Sequence, residues 1–397
     1  MTLIATSEKS QDGVRRISLL GATGSIGRST VDLIRRNRER FEVVALTANR
    51  NATALAALAR EFEAEFAVVA DPGAYSALHD CLADTAIETA SGQEALNEAA
   101  TIEADLIVAG IVGAAGLDST LAAVRQGTLV ALANKESLVC AGDLLLAEIE
   151  RSGSRLLPLD SEHNAIFQVF ENENAADVAR LVLTASGGPF RTWSLADMAK
   201  ATPDQAVAHP NWDMGRKVSV DSATMMNKGL ELIEAAYLFP VAAADIDVLV
   251  HPQSVVHSMV AYVDGSVLAQ LGPPDMRVPI AHALAWPARM QSGVAQLDLA
   301  AIGTLDFKTP DDVRFPAVRI ARDALTEGKG ATVILNAANE IAVEGFLCGR
   351  IGFLEIAAIV QNVLEQVQGF EITSLEDFRS LDYESRRITK TLVKTAS

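Results

Sequence analysis

The sequence predicts an α/β protein in three parts: a doubly wound N-terminal half on a parallel sheet, an α+β middle segment, and a helical C-terminal segment. Three observations carry this. From Arg16 to about Leu157, short β-branched or apolar runs alternate with Ala- and Leu-rich helical segments, the rhythm of repeated βαβ units. A glycine-rich turn, Gly21 to Gly27, follows the first apolar run and leads into a helix. After Leu157 the rhythm changes, and the stretch from Ala317 to about Gln368 reads as several helices.

Taken in order, the first half should hold strands at Ile17–Leu20, Val43–Thr47, Phe66–Val69, Leu106–Val108 and Leu129–Ala131, with helices such as Ala52–Glu63 between them. A further apolar strand is expected at Leu156–Leu159. Strands Leu181–Ala185 and Asp247–Val250 follow, separated by a long segment with Pro, Trp and Gly and by an amphipathic helix. The run from Ser254 to Ala269 has strand character on both sides of Val263-Asp264-Gly265-Ser266, a hairpin turn signal, and could pair across a subunit interface. Pro287 to Pro316 is rich in helix breakers. The expected domains are therefore residues 1–157, 158–286, a linker at 287–316, and a helical domain at 317–397.

Composition narrows the class of function. The chain has 397 residues with 49% apolar content, enough for two or three domains with their own cores. A formal charge of -18 gives a field that repels nucleic acid and anionic membranes. An anionic substrate would then be held by local cations, backbone N–H groups or a metal. Cys81, Cys140 and Cys348 are scattered and odd in number, which argues for a reducing compartment, and the cytoplasm is expected. Residues 1–16 contain no apolar signal-peptide core, and no stretch approaches the roughly 20 apolar residues of a membrane span, so a soluble protein is expected.

The glycine turn reads Gly21-Ala22-Thr23-Gly24-Ser25-Ile26-Gly27. Glycines allow a tight turn and close backbone approach to a pyrophosphate, and a helix N-terminus offers unpaired N–H groups. The spacing is GxxGxxG, so a tight turn in some other α/β protein is the alternative. The second strand ends in Ala48-Asn49-Arg50-Asn51, without the acid that holds an NAD ribose; Arg50 could meet a 2′-phosphate, or be a solvated surface arginine. The fifth strand runs into Asn134-Lys135-Glu136-Ser137 at the ligand-binding edge of such a sheet. Lys135 is either a ligand residue there or a lysine opening a surface helix.

Asp160-Ser161-Glu162 puts two carboxylates one residue apart at the head of a helix. They could face one cation, or serve only as cap and first-turn charge. A third carboxylate lies in Asn227-Lys228-Gly229-Leu230-Glu231, where Asn227 and Lys228 share a helix face with Glu231. An exposed Lys-Glu pair is the alternative. Asp160, Glu162 and Glu231 together would form an all-oxygen site for a hard ion, Mg²⁺ or Mn²⁺, with Co²⁺ as a further option and zinc disfavoured. Thr184-Ala185-Ser186-Gly187-Gly188 could expose donors to a phosphate, or be an ordinary turn. The segment from His209 to Lys217, with Trp212 and Gly215, reads as a lid.

Together GATGSIG, ALANKESLV, PLDSEHNAIFQ, TASGGPF, HPNWDMGRKVSVDSATMMNKGLELIEA and HPQSVVHSMV resemble the 1-deoxy-D-xylulose 5-phosphate reductoisomerase family, in family order from Ile17 to the C-terminal helices. The resemblance implies a Rossmann-like NADPH domain, a catalytic domain with a lid, a helical C-terminal domain and a homodimer. It implies NADPH contacts at Thr23, Gly24, Ser25, Ile26, Asn49, Arg50, Asn51, Asn134, Glu136 and Gly215. Metal ligands would be Asp160, Glu162 and Glu231, the last also touching substrate with Glu162. Substrate contacts would come from Lys135, Ser161, Ser186, His209, Trp212, Ser222, Asn227 and Lys228, with Ser186, Ser222, Asn227 and Lys228 nearest the phosphate. Glu162, Lys135 and His209 would be catalytic. The family usually reads Gly-Lys-Asn where this chain has Asn49-Arg50-Asn51; Asn tolerates positive φ better than most residues, and Arg keeps the cation.

The resemblance further implies a small phosphorylated ketose as substrate, a metal on its carbonyl and hydroxyl oxygens, and a place in isoprene biosynthesis. Two other classes compete. A semialdehyde dehydrogenase shares the glycine turn but needs a cysteine nucleophile beside a base, and Cys140 has no histidine nearby in sequence. A non-catalytic NADP-binding sensor would have no use for three carboxylates and a His-Trp lid.

Overall fold

The structure is a computed structural model that describes residues 13–208, 212 and 214–395. Seven strands form the first sheet: β1 Arg15–Leu20, β2 Phe41–Ala48, β3 Phe66–Val69, β4 Glu88–Ser91, β5 Leu106–Ala109, β6 Leu129–Leu132 and β7 Arg155–Pro158. Their order is β4-β3-β2-β1-β5-β6-β7, and every pairing is parallel. The sheet is therefore doubly wound, with the order reversing between β1 and β5, the place where such folds bind ligands. β3 and β5 are buried along their whole length, as a sheet covered on both faces requires. The edge strand β4, Glu-Thr-Ala-Ser, is half exposed and carries no apolar run, which is why sequence periodicity does not disclose it.

The chain divides into two compact units that do not follow sequence order: residues 1–137, 145–164 and 275–295, and residues 138–144, 165–274 and 296–397. The reason for 275–295 is visible in the first unit. Arg277 on the helix Arg277–Ala285 lies 3.3 Å from Asp32 on the helix Ser25–Arg36, and Arg15 Nη1 donates to the Leu284 carbonyl at 2.7 Å. Contacts this distant in sequence leave no local pattern.

The second unit is built on a four-stranded sheet of β8 Val178–Ala185, β9 Ile246–Val250, β10 Val256–Tyr262 and β11 Val267–Leu271, in the order β11-β10-β8-β9. β8 and β9 run parallel, while β10 is antiparallel to both neighbours. The β10–β11 hairpin turns through Gly265 at φ +89, and the Asp264 carboxylate accepts from the Ser266 N–H at 2.8 Å. β11 is an edge strand with Val267 and Leu268 exposed. Residues 296–308 run back over β9: Lys308 bridges Val250, and the Phe307 ring stacks on His251 with centroids 4.7 Å apart.

Two helices carry most of the polar motifs, Arg216–Thr224 and Met226–Leu238, separated by Met225 in the left-handed region at φ +65. The second is buried almost throughout. Gly229 lets the helix Ala317–Glu327 approach it, since a Cβ there would lie 2.7 Å from that of Ala321. The helices Ala331–Leu347, Glu355–Gln366 and Leu375–Thr395 complete the C-terminal bundle. Among the described residues, no helix is long and apolar enough to cross a membrane.

Candidate active site

At the carboxyl end of β1, Gly21 takes φ +89, and a Cβ there would come within 2.7 Å of the Gly110 carbonyl oxygen beyond β5. The turn thus sits at the switch point. A Cβ on Gly27 would meet the Ala22 carbonyl at 2.4 Å, so this glycine lets the helix Ser25–Arg36 pack against the turn. Gly24 is the exposed N-cap, followed by Ser25, exposed, and Ile26, half-buried like Thr23. The first N–H groups of that helix have no partner within the helix and are available to an anion.

Asn134, after β6, is 2% exposed; its Nδ2 donates to the Gly113 carbonyl at 3.1 Å, while its Oδ1 has no partner among the described residues. A buried, unsatisfied acceptor at the carboxyl edge of the parallel sheet fits a bound dinucleotide. Gly116 makes room for it, because a Cβ there would lie 2.1 Å from Asn134 Nδ2. Glu136 is buried in the first turn of the next helix.

At the end of β2, Arg50 is exposed and pairs with Asp71 at 2.7 Å. It is available to a 2′-phosphate only by leaving that carboxylate. Asn51 caps the helix Ala52–Phe62, its side chain accepting from the Ala54 N–H at 3.2 Å. Asn49 is not among the positive-φ residues, so the backbone there does not demand glycine. Asp71 and Gly116 were invisible to sequence reasoning: one acts from another strand's end, the other by lacking a side chain.

Lys135 is not a surface lysine. Its ammonium pairs with Asp160, and the two side chains are only 13% and 11% exposed. Burial alone would push the Asp160 carboxyl up, but the adjacent Lys135 and His163 outweigh it and hold the carboxyl well below the usual carboxylate range. Ser161 Oγ donates to Glu162 Oε2, and Glu162 N–H reaches Asp160 Oδ1 at 3.4 Å. Asn164 Nδ2 donates to the Pro158 carbonyl at 2.8 Å and lies 3.3 Å from His282 Nδ1. Burial lowers the His282 pKa to about 4, with Arg289 adding to the effect, so this imidazole is neutral and can accept that bond.

In the second unit, Asn227 Nδ2 donates to Glu231 Oε1 and Lys228 Nζ to Glu231 Oε2. Lys228 and Glu231 are 4% and 1% exposed, which removes the reading of an exposed helix pair. The turn after β8 takes φ +78 at Gly187 and +66 at Gly188, and Ser186 Oγ accepts from the Gly188 N–H at 3.1 Å. A Cβ on Gly188 would stand 2.8 Å from the Ser222 carbonyl oxygen, so this turn and Ser222 adjoin. The Trp212 and His257 rings lie 6.1 Å apart, and Gly215 caps the helix Arg216–Thr224. His209 lies outside the described residues. Cys140 is 3% exposed.

Asp160 is thus paired with Lys135, Glu162 accepts from Ser161, and Glu231 accepts from Asn227 and Lys228. Their oxygen-only chemistry suits a hard divalent cation better than zinc, which favours sulfur and nitrogen ligands.

A family model for 1-deoxy-D-xylulose 5-phosphate reductoisomerase matches residues 17–142, one for its C-terminal domain matches 156–239, and one for the DXP reductoisomerase C-terminal domain matches 271–388. The 1-deoxy-D-xylulose 5-phosphate reductoisomerase of Rhodospirillum centenum (strain ATCC 51521 / SW) is 58% identical over 382 residues, covering 96% of this chain and 95% of the relative. The solved Zymomonas mobilis reductoisomerase in complex with NADPH is 52% identical, with a TM-score of 0.92 over 96% of this chain and 99% of that one. A DOX-P reductoisomerase in complex with NADPH, fosmidomycin and magnesium is 46% identical, with a TM-score of 0.91 over 96% and 98%. Motifs, sheet order and full-length similarity agree, and the chain belongs to the 1-deoxy-D-xylulose 5-phosphate reductoisomerase family.

Proposed function

We propose that this protein is an NADP-dependent oxidoreductase that rearranges 1-deoxy-D-xylulose 5-phosphate and reduces it to 2-C-methyl-D-erythritol 4-phosphate, a step of isoprenoid precursor synthesis. The observation that carries the reading is the buried Asn227–Lys228–Glu231 cluster in a chain of this family, because a buried polar cluster of this kind has no use in packing alone. When bound, NADPH supplies the hydride and a divalent cation, Mg²⁺ or Mn²⁺, supplies Lewis-acid polarisation of the substrate oxygens.

Asp160, Glu162 and Glu231 hold the cation. Lys135, paired with Asp160 before substrate arrives, turns its ammonium to the substrate oxygens. Lys228 and Asn227 release Glu231 in the same way and bind the phosphate with Ser186 and Ser222. Glu162 moves a proton at the rearranging hydroxyl, with Ser161 orienting its carboxylate. Trp212 covers the carbon chain, and His209 acts on the same substrate face. Thr23, Gly24, Ser25 and Ile26 face the pyrophosphate, Asn49, Arg50 and Asn51 the adenosine phosphate end, and Asn134, Glu136 and Gly215 the nicotinamide half. Residues 1–157 form the NADPH domain, 158–286 the catalytic domain, 287–316 a linker and 317–397 a helical domain. The edge strand β11, with Val267 and Leu268 exposed, supports a homodimer through strand pairing. Three scattered cysteines, Cys81, Cys140 and Cys348, support a cytoplasmic setting.

The test is NADPH absorbance with 1-deoxy-D-xylulose 5-phosphate, first with Mn²⁺ or Mg²⁺ and then after chelation. Turnover that stops on chelation and returns with metal is expected; none from a folded, NADPH-binding protein refutes the activity. Arg50→Gln is expected to cut the preference for NADPH over NADH by about 10- to 100-fold, the equivalent of one charge-assisted contact of about 1.5–3 kcal/mol. An unchanged ratio of the two kcat/KM values would remove Arg50 from the 2′-phosphate.

A further inference from the structure

A buried polar chain in the second unit involves none of the groups assigned above. It begins on the helix Arg216–Thr224, which carries Ser222. Asp221 is 1% exposed; its Oδ2 pairs with Lys217 at 2.9 Å, and its Oδ1 accepts from Asn339 Nδ2 at 2.8 Å. Asn339 is fully buried on the helix Ala331–Leu347. One turn earlier Asn336 donates to Glu340 at 3.3 Å; Glu340 accepts from Arg386 at 2.6 Å, and Arg386 also donates to Asp382 at 2.7 Å. The helix Ala331–Leu347 thus bonds the helix of Ser222 through Asn339 and the last helix of the protein through Glu340.

A carboxylate removed from water stays charged only with partners, and the origin of each partner decides what it can do. Lys217 lies four residues before Asp221 on the same helix, turns with it, and cannot fix its rotation. Asn339 comes from a helix 118 residues away and can. Neighbouring residues of an α-helix are rigidly about 100° apart, at 3.6 residues per turn, so fixing Asp221 also fixes Ser222. On the other side, the bare Cα of Gly188 abuts the Ser222 carbonyl.

We propose that Asn339 is a positioning residue for the phosphate subsite: by holding Asp221 it sets the rotation of the helix Arg216–Thr224 and hence the place of the Ser222 hydroxyl. This rests on Ser222 being a phosphate contact of the activity given above. Asn339 touches neither substrate nor cofactor in this role.

The wild type is assayed first with 1-deoxy-D-xylulose 5-phosphate, NADPH and Mn²⁺; a wild type without turnover refutes the activity and, with it, this role. In Asn339→Leu, KM for the phosphorylated substrate should rise about tenfold or more, kcat should fall less than about threefold, and NADPH affinity should stay within about twofold. Combined with Ser222→Ala, the effect on KM should fall well short of the product of the single effects, because both act through one hydroxyl. A merely structural asparagine would lower Tm and leave KM alone, and either that result or a multiplicative double variant overturns the proposal. Should Asn339→Leu fail to fold, Asn339→Ser, which keeps a hydroxyl donor toward Asp221, takes its place. A smaller KM rise that is likewise masked by Ser222→Ala is then expected, and an unmoved KM refutes Asn339 while leaving the activity standing.

Discussion

Glu231→Gln is expected to abolish metal-dependent turnover, lowering kcat by at least about a thousandfold. Gln keeps the size of Glu, but Asn227 and Lys228 donate to separate oxygens of the Glu231 carboxylate, and the amide retains one acceptor for the two donors. It also removes the charge. Lewis-acid polarisation contributes several kcal/mol, and each ~1.4 kcal/mol is a factor of ten, so a lost metal ligand costs about three orders of magnitude. The substitution also removes a charged partner of the Lys228 ammonium, which is 4% exposed. Breaking a buried pair in this way destabilises by about 3–5 kcal/mol, so Tm must be followed alongside activity. The decisive measurement is Mn²⁺ affinity by the paramagnetic signal of the free ion. A folded variant that binds Mn²⁺ as the wild type does and turns over within tenfold of it would remove Glu231 from the metal.

Gly27→Ala is expected to disable the cofactor site. The added methyl would stand 2.4 Å from the carbonyl carbon and oxygen of Ala22 and from the Gly21 oxygen, all main-chain atoms with no rotamer to yield. Overpacking costs about 1–3 kcal/mol and more where nothing can move; about 3 kcal/mol, taken from the bound conformation of the turn, is roughly a hundredfold in affinity. NADPH titration by fluorescence should show that loss. Gly24→Ala is the control, since its Cβ would meet only the Gly21 oxygen at 3.3 Å and its φ is an ordinary −74. Equal effects of the two substitutions would mean that the turn is read through cofactor contact rather than packing.

The parallel sheet and its glycine turn were legible because each strand is a local apolar run and each turn a local glycine, as at Phe66–Val69 and Gly21. The carboxylates were legible as chemistry, but whether Lys135 and Glu231 are buried was not, since an i,i+3 pair looks the same in water and in a core. The break at Met225 escaped notice: the run from Ser222 to Glu234 carries helical spacing throughout, and no glycine or proline marks the left-handed residue. Contacts such as Arg277 with Asp32 and Asn339 with Asp221 join residues 245 and 118 positions apart, where no periodicity reaches.

The division of the chain bears on the order in which the protein can be made. The polypeptide passes between the two compact units after residues 137, 144, 164, 274 and 295. As synthesis proceeds from the N-terminus, the seven-stranded sheet is complete once Pro158 has emerged, yet Asp32 must wait for Arg277, and the Arg15 guanidinium for the Leu284 carbonyl. The first unit is therefore finished by a segment that arrives after much of the second has left the ribosome. A nascent chain halted at residue 274 would carry a whole sheet with an uncovered helix, an open form for chaperones to hold, and neither unit can be cut out as a continuous fragment.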